Sequence, residues 1–98
     1  MFAIISKFEI ENGMEVQVKE AFRNRPGLVE QAKGFVKLDV LSPTHNPAEI
    51  HLITYWESEN DFNHWHLNHL KESHKDIPKG LKLVSKSWEL SKYEHISS

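Results

Sequence analysis

Phe2, Ile4, Phe8 and Ile10 alternate with Ala3, Ile5, Lys7 and Glu9 at the start of the chain, the pattern of a strand with one strongly apolar face. Such a face has to be covered, so these residues commit the chain to a sheet packed against other elements. Ser6 falls on that face as its single hydroxyl, where an apolar side chain would be expected. Asn12 and Gly13 end the strand. Met14, Val18, Ala21 and Phe22 then recur at helical spacing while Glu15, Lys19 and Arg23 fall elsewhere, which predicts an amphipathic helix stopped before Pro26-Gly27.

Alternation resumes from Gly34 to Leu41, and the turn-rich Ser42-Pro43-Thr44-His45-Asn46-Pro47 separates it from Ile50 to Trp56, so the two stretches read as an antiparallel hairpin. Ser58 is placed to cap a helix with Glu59 and Asp61 in its first turn, running through Phe62 and Trp65. Pro78 and Gly80 break the chain, Leu81 to Leu90 alternates as a last strand, and the tail after Tyr93 looks loose. The order βαββαβ predicts an α+β, ferredoxin-like domain spanning residues 1–98: a four-stranded antiparallel sheet with both helices on one face. Ile5, Ile53, Tyr55, Val84 and Trp88 are then expected on the other face. Large apolar groups there predict that the face packs on its counterpart in a second subunit, a homodimer forming a closed two-sheet assembly.

With 98 residues, 39% hydrophobic and 27% charged, the chain has the composition of an ordinary globular domain. A formal net charge of -2 without a basic run argues against a nucleic-acid partner. The absence of cysteine excludes disulfides, thiolate metal sites and a cysteine nucleophile. No apolar run approaches the ~18 residues that span a bilayer, and the first residues lack the basic start and cleavage site of a signal peptide. A cytoplasmic protein without membrane partners is expected.

The segment from His64 to His74, HWHLNHLKESH, concentrates imidazoles beside Trp65. His66 and His69, at i and i+3, could share a zinc ion, but no HExxH sequence and no cysteine completes a tetrahedral set, so an intrinsic zinc site is not expected. On a regular helix Phe62, Trp65, His69 and Ser73 share one side, and His74 lies about half a turn from Trp65. A pocket using both Trp65 and His74 therefore calls for a break in the helix, and Asn68 is the most permissive position for one. His64 and His66 are expected at the surface, and His69 is open between surface and site. His74 precedes Lys75-Asp76-Ile77-Pro78, expected to form a loop at a pocket rim, where a neutral imidazole could serve as a haem ligand or as a general base.

Ile53-Thr54-Tyr55-Trp56-Glu57-Ser58, followed by Phe62, Trp65 and Ser73-His74-Lys75, after a first half containing Gly34-Phe35, resembles the antibiotic biosynthesis monooxygenase superfamily. Within it the chain is most similar to haem-degrading monooxygenases of the Isd and HmoA type. The resemblance covers nearly the whole chain and implies a dimeric α+β barrel with haem as both substrate and cofactor, held in a cleft between helices and sheet. It implies that His74 is the haem-iron ligand, that Trp65 lies against the porphyrin and distorts it, and that a polar first-strand residue sits over the distal side. That residue is Ser6 here, where the Isd enzymes carry asparagine. Phe62 and His69 are the further expected cofactor-binding residues. The implied reaction is oxygen-dependent opening of the porphyrin with release of iron, supported by an external reductant.

Two other readings use the same fold. A cofactor-independent monooxygenase acting on a small aromatic compound would need an apolar cavity and His74 or His69 as base. A non-catalytic stress or signalling protein would use the barrel for protein contacts.

Overall fold

The computed structural model describes residues 1–24, 29–73 and 80–98, with 68–73 as backbone only. Its elements are β1 (Phe2–Glu9), α1 (Glu15–Arg23), β2 (Phe35–Leu41), β3 (Glu49–Trp56), α2 (Glu59–Ser73) and β4 (Glu89–Glu94), with a short 3-10 turn at Val29–Gln31. The strands pair in the order β2-β3-β1-β4, all antiparallel, as the βαββαβ reading expects. Both strands beside β1 match it in register, so Ser6 lies between Leu52 of β3 and Leu90 of β4.

Alternation sends the even-numbered residues of β1 to the helix side, where Ile4, Phe8 and Ile10 are buried. α1 lays Val18 onto this side, with 2% of its surface exposed, and Met14 and Phe22 pack beside it. α2 begins as the sequence indicates. The Ser58 hydroxyl accepts the Asp61 backbone N–H at 3.2 Å and donates to Asp61 Oδ2 at 2.9 Å. That cap satisfies one of the orphan donors of the first turn. Gly34, at φ +80°, sits so close to this turn that an added Cβ would collide with the Asp61 carboxylate, and its carbonyl accepts the Glu57 N–H at 2.8 Å. The Gly34-Phe35 step thus lets the start of β2 dock directly onto the start of α2.

Two expectations need correction. The first concerns the last strand, expected over Leu81 to Leu90, which begins at Glu89 and runs to Glu94, one residue beyond the point where the tail was expected to loosen. His95 N still donates to Met1 O at 3.0 Å. Leu83 makes only an isolated bridge to Ile10. Six residues separate Leu83 from Glu89 while three separate their partners Ile10 and Lys7, so the surplus is looped out in a turn. Lys86 adopts φ 62° in that turn, a left-handed conformation costing a non-glycine residue ~1–2 kcal/mol, and Ser87 N bonds to Val84 O at 3.0 Å. The odd surplus reverses the alternation: Trp88, expected on the open face, stacks on Phe8 on the helix side with ring centroids 5.4 Å apart.

The second concerns α2, which is continuous from Glu59 to Ser73, so the break expected near Asn68 is absent. Leu67, Leu70, Lys71 and Glu72 around it are good helix formers, and one asparagine without glycine or proline does not overcome them.

On the open face, Ala3 is buried by its neighbours while Ile5, Ile53 and Tyr55 are half-buried. Tyr93 and Leu41 are exposed there, and Tyr55 meets His95 edge-on at 6.3 Å. Among the described residues no helix is long and apolar enough to cross a membrane.

Candidate active site

The helix side of the sheet is packed in two separate clusters. Phe8, Ile10, Val18 and Ile50 form the first, joined by Met14, Phe22, Val40, Leu52 and neighbours. Ile4, Trp56 and Phe62 form the second, joined by Phe2, Val29, Ala32, Phe35 and Trp65. Among the described residues the two share no member. A domain of this size ordinarily packs around one contiguous core, so the division is informative. On β1 it falls at Ser6, between Ile4 of one cluster and Phe8 of the other. Ser6 is half-buried, its hydroxyl makes no hydrogen bond among the described residues, and its β4 neighbour Leu90 is 38% exposed.

The second cluster is a sequence of rings that leads outward. Trp56 is wholly buried, and its Nε1 donates to Thr54 Oγ1 at 3.0 Å, which explains a threonine on an otherwise apolar face. Phe35 and Phe62 meet the Trp56 ring edge-on at 5.5 and 5.8 Å. Trp65 lies 5.8 Å from Trp56 at a tilt of 39° and remains half-buried. Phe62, one turn earlier on α2, is 5% exposed and belongs to the packed interior. Lys92 of β4 reaches Glu59 at 3.0 Å and ties this end of α2 to the sheet edge.

The histidines separate accordingly. His66 stacks on Phe62 at 5.3 Å and is half-buried, against the expectation of a surface position, because the i,i+4 spacing sets it over the previous turn. His64 is exposed. The His69 side chain and the whole of His74 lie outside the described residues. Among the described residues no group of three or more histidine or carboxylate side chains converges on a point that could hold a metal ion.

Trp88 is the residue that sequence reasoning misplaced. The polar run Ser85-Lys86-Ser87 inside an alternating stretch is the one signal of the turn that moves it.

The helix side of this ferredoxin-like α+β domain thus carries a set of aromatic rings and, on β1, a single hydroxyl without a hydrogen bond among the described residues. The family profile described as antibiotic biosynthesis monooxygenase matches residues 1–75, and the chain belongs to that family of monooxygenases. It is 28% identical over 82 residues to a staphylobilin-producing haem oxygenase of Staphylococcus haemolyticus, covering 81% of this chain and 78% of that protein. Among solved structures, the fold is similar to that of MhuD, a haem degrader of Mycobacterium tuberculosis with two haems bound in its active site. The TM-score is 0.81 at 20% identity, covering 100% of this chain and 98% of that one. It is also similar to SnoaB, a cofactor-independent oxygenase of Streptomyces nogalater, with TM-score 0.76 at 12% identity, covering 99% of this chain and 94% of that one.

Proposed function

We propose that the chain is a haem-degrading monooxygenase whose substrate occupies the gap between the two packed clusters, over Ser6. The division between the clusters carries this reading: among the described residues it falls at the one hydroxyl of an apolar strand face, with the half-buried Trp65 on the α2 side. The residues suit a flat, largely apolar macrocycle. Trp65 offers a ring supported from behind by Trp56, and Ser6 offers a hydrogen-bond donor that no described residue occupies. The kinship to a staphylococcal haem oxygenase supports haem over other flat ligands.

When bound, haem supplies the iron centre at which dioxygen is activated, and an external reductant supplies electrons. The chain's own part is geometric. His74 is assigned as the residue that would hold the iron. It follows Ser73 directly, nine residues after Trp65, and on a helix of ~3.6 residues per turn it would face away from Trp65. The break at Asn68 expected to bring it beside Trp65 is absent, and His74 itself lies outside the described residues. Trp65 would pack against the macrocycle, Ser6 would donate a hydrogen bond toward the bound ligand, and the two clusters would keep water from its edges. His69 is a further candidate for contact from α2.

Haemin titration of the purified protein tests this. A saturable Soret shift, lost in His74→Ala and bleached by ascorbate in air, is expected. No saturable shift would defeat the haem reading, and oxygen uptake with phenols in metal-free buffer would then be the measurement favouring a cofactor-independent oxygenase.

The open face supports a homodimer, since Ala3, Ile5, Ile53 and Tyr55 form an apolar centre that a second copy would cover. Sedimentation equilibrium should return twice the chain mass of 11.5 kDa, and a single-chain mass at micromolar concentration would contradict the assignment.

A further inference from the structure

Trp88 is held in place from three directions. The turn before it puts Lys86 in the left-handed region at φ 62°. The neighbouring Ser87 hydroxyl accepts the Glu9 N–H at 3.1 Å and lies 3.5 Å from Glu9 O, fastening the turn to the end of β1. The indole then stacks on the buried Phe8 ring, 16° from parallel. Yet 50% of Trp88 is exposed, and Leu90, the next residue on the same face, is 38% exposed. A turn in a costly conformation thus presents a large aromatic side chain half to water.

Its position explains what that surface is for. Leu90 pairs with Ser6, and Phe8 follows Ser6 on the same face of β1. Trp88 therefore stands at the Phe8 end of the Ser6 gap, while the Trp56–Trp65 pair stands at the Ile4 end. Ile4 and Phe8 are four residues apart, roughly 13 Å along a strand at ~3.3 Å per residue. A floor of that length between two aromatic sides suits a planar ligand of several fused or linked rings better than a lone phenol.

We propose that Trp88 is a substrate-binding residue whose exposed indole surface forms the second aromatic side of the Ser6 gap. This rests on the haem reading above, and it adds a contact from the turn before β4 to those from α2 and β1. The alternative role, shielding Phe8 from water, needs a bulky apolar side chain but not an aromatic one.

Haemin titration of wild type, Trp88→Phe and Trp88→Leu separates the two roles, with the thermal midpoint of each haem-free protein measured alongside. Leucine keeps Phe8 covered, so a haem-free protein of near wild-type midpoint is expected. Its haemin dissociation constant should rise on the order of ten-fold, while Trp88→Phe stays within about three-fold of wild type. Wild-type affinity in Trp88→Leu overturns the assignment and leaves the haem reading intact. Equal weakening in both variants together with a lowered midpoint assigns Trp88 to packing and also overturns it. A wild-type protein without a saturable shift defeats the haem reading and this assignment together.

Discussion

Beneath α1 the sheet is sealed mainly by aliphatic side chains around Phe8 and Phe22, whereas beneath the first turns of α2 it is covered mainly by rings. Val18, Ile10 and Ile50 are all 3% exposed or less, and the buried Phe8 ring has its face covered by Trp88. On the other side the rings step outward, from the wholly buried Trp56 to the half-buried Trp65. Branched aliphatics close a core by interdigitating, while planar rings can finish a core and still present a face. Under the proposed function the aliphatic side chains of the first cluster serve stability, and the rings of the second serve stability and the site together.

Removing the centre of the aromatic cluster should have the largest effect. Trp56→Ala is expected to cost ~3–5 kcal/mol in urea unfolding, since it empties the most enclosed position among the described residues. It should also weaken haemin binding in whatever fraction stays folded, because Trp65 loses the ring behind it. In the aliphatic cluster, Ile50→Val should cost only ~0.5–1.5 kcal/mol and leave the haemin dissociation constant unchanged. Equal effects of the two substitutions on binding, after correction for the folded fraction, would show that the clusters do not divide the work in this way.

Much of the layering was legible in the sequence. The alternation in β1 and β3 and the helical spacing of Val18 and Phe22 specified the layers, and Ser58 with Asp61 marked the start of α2 to the residue. Ser6 stood out because a hydroxyl on an apolar strand face needs a reason. Trp88 did not, because a turn that loops out an odd number of residues inverts every later position while leaving local alternation intact. The split between the clusters was also hidden: it depends on which side chains meet across three strands and two helices, and periodicity along one strand carries no such information. Asn68 misled for the opposite reason, since a weak local preference was set against a run of helix formers and lost.

The central claim is that the gap over Ser6 is where the substrate binds, and Ser6→Leu tests it most directly. Leucine there would lie between Leu52 and Leu90 and join the two clusters into one core. Haemin titrated into this variant should produce no saturable Soret shift, although its thermal midpoint should equal or exceed that of the wild type, which binds. A folded Ser6→Leu protein that takes up haemin with wild-type affinity would contradict the account.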